Sequence, residues 1–158
     1  MKSTLLSTVA ILLLQTFPLG AVEIAGHRGA SYDAPENTLA SFRLGYEQNA
    51  DADELDIYLS RDGKIVVMHD PTTKRTAGLD QPIVAQDFAA LRELDAGIWK
   101  GPQWKGEKIP TLSEVLALIP DGKKLFIEIK CGPEILPALE ETLTASQKKT
   151  EQLVIIGF

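Results

Sequence analysis

Five apolar segments of strand length recur along the chain, and amphipathic helical patterns separate most of them. The segments are Val22–Ala25, Leu55–Leu59, Ile65–Met68, Leu125–Ile129 and Leu153–Phe158, each rich in β-branched or large apolar residues. The helical stretches are Thr38–Gln48, Gln86–Leu94, Thr111–Ile119 and Pro133–Ser146. Asn37 reads as the N-cap of the first, whose Leu39, Phe42 and Tyr46 share a face. Leu112, Val115, Leu116 and Ile119 have helical spacing, and Thr111 with Glu114 forms a capping box. Ile135, Leu136, Leu139 and Leu143 are the apolar positions of the last stretch. Strands alternating with helices predict a parallel α/β sheet. One junction departs from this rule. Ser60–Lys64 holds an Asp62-Gly63 turn and no helix, so the second and third segments form a hairpin. Pro71–Pro110, with both Trp residues, reads as a long excursion of a kind often used for function.

Charge narrows the partners. The 158 residues carry 16 Lys and Arg against 22 Asp and Glu, a net charge of −6, which is the wrong sign for a general nucleic-acid binder. A small phosphate ligand stays compatible, because a local site can be positive on an acidic protein. Cys131 is the only cysteine, so no internal disulfide forms; it is either a small buried residue or a reactive thiol. At the start, Lys2, the apolar run Leu5–Leu14 and the more polar Gln15–Ala21 follow the three-part plan of a secretory signal. The apolar run is shorter than the roughly 20 residues that span a bilayer. Residues 1–21 are therefore expected to be a signal peptide, with a buried core helix as the alternative, and residues 22–158 the domain. Export to the periplasm or the outside of the cell follows, with no stable membrane anchor. The chain ends inside an apolar strand, an odd place for a sheet to stop, so a longer protein is expected.

The polar residues at the strand ends carry the chemistry. Glu54 and Asp56 are two apart, so on a strand they share one face while Leu55, Ile57 and Leu59 take the other. Glu128 and Lys130 repeat the pattern, with Ile127 and Ile129 opposite. Two acids at this spacing often mark only a solvated sheet face. A third carboxylate on a separate apolar strand favours a metal, and carboxylate oxygens suit Ca²⁺ or Mg²⁺. The only two histidines, His27 and His69, each sit where a strand gives way to a loop, which is where α/β barrels place active residues. A simple turn at Asp62-Gly63 would set His69 opposite Asp56. Arg28 matches phosphate oxygens but can equally serve a salt bridge. Gly26 and Gly29 would let the backbone approach a ligand. Together these groups suggest phosphoryl chemistry.

The ordered motifs resemble the glycerophosphodiester phosphodiesterase family. His27-Arg28-Gly29 followed by Pro35-Glu36-Asn37-Thr38 is similar to its opening signature. Glu54 and Asp56, then Asp62-Gly63 and His69-Asp70, are similar to its second block. Arg75-Thr76, Leu94-Asp95-Ala96-Gly97, Gly106-Glu107, Ile109-Pro110-Thr111-Leu112 and Glu128-Ile129-Lys130 follow in the family's order. The resemblance runs from about Ile24 to Lys130. It implies a TIM-type (β/α)8 barrel, incomplete here because such a barrel needs about 250 residues; this chain supplies about five of the eight strands. It implies His27 and His69 as the acid–base pair, and Glu54, Asp56 and Glu128 as ligands of one divalent cation, Ca²⁺ or Mg²⁺. It implies Arg28 and Lys130 on the substrate phosphate, and a small glycerophosphodiester as substrate, split to sn-glycerol 3-phosphate and an alcohol. Asp53 departs from the family, which usually has an apolar residue there; it either adds charge near the metal or points outward. Gly157 stands where a Ser is frequent.

Two other readings compete. The chain can be an inert fragment or phosphate-binding module that keeps the groups without turnover. It can also be a related phospholipase-type barrel acting on intact lipid, which an exposed apolar rim would favour. Trp99 and Trp104 are the candidates for that rim, and packing within the excursion is their simpler role.

Overall fold

The computed structural model describes residues 22–157. The signal-peptide expectation for residues 1–21, and Phe158 of the fifth segment, lie outside the described residues. The strands are β1 (Ala25–Gly26), β2 (Ala52–Leu59), β3 (Ile65–Val67), β4 (Lys124–Ile129) and β5 (Leu153–Ile156). Their order is β1-β2-β4-β5, all parallel, while β3 pairs antiparallel with β2. Helices α1 (Leu39–Glu47), α4 (Leu112–Leu118) and α5 (Leu136–Ala145) cover one face. Two shorter helices, α2 (Lys74–Ala77) and α3 (Phe88–Glu93), lie in the excursion. Parallel strands with helices on the outer face make the first part of a TIM-type (β/α)8 barrel.

The outer face is apolar for the reason the alternation gives. Leu55 and Ile57 of β2, and Leu125 and Ile127 of β4, are fully buried against Phe42, Leu112, Val115, Leu116, Ile135 and Leu139. Burying each of these side chains contributes roughly 1.5–3 kcal/mol. Thr111 caps α4 by the expected reciprocal bonds with Glu114. The excursion covers the opposite side of the hairpin, where Ile83, Leu91, Ala96 and Ile109 pack on Tyr58, Val66 and Met68. Cys131 is half-buried against both clusters, and burial pushes its thiol up, which disfavours a reactive thiolate.

Several expectations are corrected. Asn37 does not cap α1. Thr38 does, with its Oγ1 accepting from the Ser41 N–H at 3.3 Å, because Asn37 stands in the left-handed region at φ 57°. The first strand is only two residues long, and Val22 and Ile24 are exposed. Leu136 is also half exposed, since the last helix begins with a 3₁₀ turn at Pro133–Ile135 that turns it away from the core. The hairpin register is one residue off the simple turn. Ile57 faces Val67, and the Met68 N–H donates to the Asp56 carbonyl at 3.0 Å. The cause is a three-residue loop, Arg61 to Gly63, with Gly63 left-handed at φ 77°, in place of a two-residue turn. Met68 rather than His69 therefore stands opposite Asp56.

Of the two roles expected of Asp53, the structure takes the outward one, though not into solvent. It faces the helix side, away from Glu54, and is fully buried beneath α1. Cβ atoms added at Gly45 and Gly26 would meet its carboxylate at 2.2 and 2.3 Å, so both glycines give it room. Neither of its oxygens has a hydrogen-bond partner. Burial, helped by the charge of Glu54, pushes its pKa up to about 7. The unfolded value is about 3.9. The stabilisation of the neutral form is thus fully present below about pH 4 and lost as pH rises through about 7. Asp53→Asn, which cannot ionise, is expected to gain about 1–3 kcal/mol on the wild type between pH 5 and pH 8. Urea midpoints measured across that range check this, and parallel profiles for the two proteins would refute it.

Candidate active site

The parallel register of β2 and β4 brings the acids together. Asp56 is the direct neighbour of Glu128, and Glu54 lies two residues back on the same face. Ligand oxygens of Glu54, Asp56 and Glu128 all lie within 4.8 Å of one another. Asp56 is 1% exposed, Glu54 13% and Glu128 19%, so the cluster is a recess and not a solvated face.

The loop after β1 closes over this recess. The Arg28 N–H donates to Glu54 Oε2 at 2.9 Å, and His27 Nε2 lies 3.9 Å from the same oxygen. Arg28 and Gly29 are successive left-handed residues, at φ 57° and 76°. The room at Gly29 serves protein, not ligand, since an added Cβ would come within 2.7 Å of the Ser41 carbonyl carbon in α1. The same loop returns Asn37, whose Nδ2 donates to Asp56 Oδ2 at 2.9 Å. Arg28 Nη1 donates to Glu36 Oε1 at 2.9 Å, and its Nε lies 3.5 Å from Asp56. Lys130 Nζ donates to Glu128 Oε1 at 2.7 Å and lies 3.7 Å from Asp56 Oδ1. His69 follows Met68 out of the hairpin, with Nδ1 2.8 Å from Asp70 Oδ1.

The structure therefore brings Glu54, Asp56, Glu128, His27, Arg28 and Lys130 to one rim, and His69 leaves the strand beside Asp56. Sequence reasoning gave no role to Glu36, Asp70 or Arg75, and gave Asn37 only that of a helix cap. The only signal for them was the motif resemblance, which placed them in the right blocks.

The carboxylates fit a hard divalent cation. Glu54 Oε1 and Asp56 Oδ1 are buried without a hydrogen-bond donor. Burial pushes the Glu54 pKa up to about 7; the Arg28 N–H opposes this, and the charges of Asp56 and Glu128 add to it. Buried anionic oxygens left without donors are what an oxygen-ligated cation satisfies.

An α/β barrel with a carboxylate cluster and imidazoles at the carboxyl ends of its strands is the class of protein that fold and site define. The chain belongs to the glycerophosphoryl diester phosphodiesterase family, whose model matches residues 27–154. It is similar to the glycerophosphodiester phosphodiesterase of Caldanaerobacter subterraneus subsp. tengcongensis, at 41% identity over 139 residues, 85% of this chain and 57% of that protein. A Bacillus subtilis glycerophosphodiester phosphodiesterase is 38% identical over 135 residues, covering 80% of this chain and 46% of that one. The chain thus spans about half the length of the curated relatives it matches. Among solved structures, an Oleispira antarctica phosphodiesterase in complex with the product sn-glycerol-3-phosphate aligns with a TM-score of 0.82 and 37% identity, over 87% of this chain and 57% of that one. The glycerophosphodiester phosphodiesterase of Agrobacterium tumefaciens aligns at 0.77 with 33% identity, over 87% and 58%.

A protonated carboxyl cannot ligate, so cation binding must displace the Glu54 proton below about pH 7. Affinity for Ca²⁺ or Mg²⁺ is expected to rise between pH 5 and pH 7 and level off above. Calorimetry in two buffers of different ionisation enthalpy reads both the affinity and the proton release. Binding that is flat with pH, with no proton released, would contradict the assignment.

Proposed function

We propose that the intact protein is a metal-dependent glycerophosphodiester phosphodiesterase, exported from the cell, that releases sn-glycerol 3-phosphate and an alcohol. The observation that carries this reading is the gathering of Glu54, Asp56 and Glu128 beside the loops that bear His27 and His69. The product complex of the related Oleispira antarctica enzyme supports the substrate class.

Glu54, Asp56 and Glu128 hold a divalent cation, with Ca²⁺ or Mg²⁺ the candidates. When bound, it supplies neutralisation of the phosphate charge and polarisation of a phosphoryl oxygen. Lys130 adds a positive charge at the same rim and binds the phosphate, and Arg28 supports it from the loop after β1. One imidazole takes the proton of the glycerol 2-hydroxyl as that oxygen attacks phosphorus. The other protonates the departing alcohol oxygen. Water then opens the cyclic phosphate with the two proton-transfer roles exchanged.

A second reading, action on intact lipid, draws on one observation. Tyr32, Ile98 and Trp99 are exposed, and Lys100 ties their loops together by donating to the Ser31 carbonyl at 2.7 Å. The assay therefore carries two substrate arms, glycerophosphocholine and phosphatidylcholine vesicles. Release of sn-glycerol 3-phosphate from the first, dependent on added cation and abolished by a chelator, is the expected result. His27→Ala and His69→Ala should each lower kcat about 10²–10⁴-fold. Wild-type protein that binds cation and phosphate without turnover would instead establish an inert binding module, and turnover of vesicles alone would establish the lipid reading.

A further inference from the structure

A proton-transferring imidazole works only if the correct nitrogen carries the proton and the ring faces the substrate. His69 has a partner that settles both. Asp70 Oδ1 lies 2.8 Å from Nδ1, and Asp70 is held in place by two bonds from Arg75, Nε to Oδ2 at 2.7 Å and Nη2 to Oδ1 at 3.0 Å. Arg75 and His69 hold the Asp70 carboxyl well below the usual range, at about 2. An ionised carboxylate only accepts, so the proton of a neutral His69 sits on Nδ1 and the lone pair of Nε2 is free.

Arg75 does not stop at Asp70. Its Nη1 and Nη2 donate to Glu36 Oε2 and Oε1, each at 2.8 Å. Glu36 Oε1 also accepts from Arg28 Nη1 at 2.9 Å. Glu36 is 10% exposed, so these bonds are shielded more than an ordinary surface pair. Burial alone would raise the Glu36 carboxyl, but Arg75 and Arg28 hold it below its ordinary value. The bonds run without a break from Arg28, next to His27, through Glu36, Arg75 and Asp70 to His69. Glu36 and Arg28 belong to the loop after β1, while Asp70 and Arg75 belong to the segment after β3. One guanidinium thus ties together the two loops that carry the two imidazoles. The fork geometry matters, since its two N–H edges are filled by two different carboxylates.

We propose that Asp70, Arg75 and Glu36 are positioning residues. Asp70 fixes the tautomer and ring plane of His69, and Arg75, braced by Glu36, sets the His69 loop against the His27 loop. The proposal rests on the phosphodiesterase reading for its kinetic consequences but not for its geometry. Each acts through an imidazole, Asp70 directly and Arg75 and Glu36 by way of the loops that carry it.

The test uses the intact protein with Asp70→Asn, Arg75→Met and Arg75→Lys, each first shown to be folded by its thermal transition. Ring ¹⁵N shifts of His69, assigned by comparison with His27→Gln, read the tautomer without any need for turnover. The wild type should show the Nδ1–H form, and Asp70→Asn should lose it, since an amide can also donate to Nδ1. On glycerophosphocholine, Asp70→Asn should lower kcat about 100-fold or more with KM changed less than about threefold. Arg75→Met should lower kcat about tenfold or more. Arg75→Lys should restore only part of it, because an ammonium cannot fork to two carboxylates. An Nε2–H tautomer in the wild type, unchanged ring shifts in Asp70→Asn, or full activity in Arg75→Met would overturn the proposal. If the wild type turns over no glycerophosphodiester yet shows the Nδ1–H form, lost in Asp70→Asn, the activity reading fails and the positioning stands.

Discussion

Three carboxylates held within 4.8 Å of one another, mostly out of water, are the feature around which the chain is organised. At that spacing each pair of negative charges repels by about 3–4 kcal/mol at an effective dielectric of about 20. The surroundings answer this with positive charge and donors. Lys130 lies between Glu128 and Asp56, Arg28 and Asn37 face Asp56 from the loop, and the Arg28 N–H reaches Glu54. Within the cluster, one oxygen of Glu54 and one of Asp56 are left without donors. Those unmet oxygens are what an oxygen-ligated cation would satisfy.

That cluster is tolerable because the strands that carry it are two-faced. The same alternation that turns Glu54, Asp56 and Glu128 inward turns Leu55, Ile57, Leu125 and Ile127 into the main core. The helices pay for nothing in the chemistry directly; they fix the strands, and the strand register fixes the acids. Asp53 is the exception that shows the rule. It sits on the helix side of β2, where a charge finds no partner, and burial answers by favouring its neutral form. Burial favours the neutral carboxyl on both faces of the strand, at Asp53 and at Glu54, but only the inner face also supplies donors and positive charge.

The loops add the directional groups. A left-handed pair at Arg28 and Gly29 folds the loop after β1 back on itself, which aims the Arg28 N–H at Glu54 and returns Asn37 to Asp56. The tight hairpin returns the chain from β2 to β3 so that Met68 meets Asp56 and His69 follows at the rim. Arg28, Glu36 and Asp70 of the loops, with Arg75 of α2, then lock these two excursions to each other.

The sequence by itself determined the strands and helices that matter, the shared face of Glu54 and Asp56, and the association of Glu128 with Lys130. Those follow from periodicity, which is a local property. It also determined the motif order that resembles the family. It did not determine that Asn37 bonds Asp56 instead of capping α1, that the hairpin carries a three-residue loop, or that Asp53 is buried under Gly45. Nor did it reveal that Glu36 and Arg75, 39 residues apart, meet between the two histidine loops. Each of these depends on a backbone left-handed turn or on a contact across the fold. Such choices are made by what packs alongside, and no window of neighbouring residues contains that information.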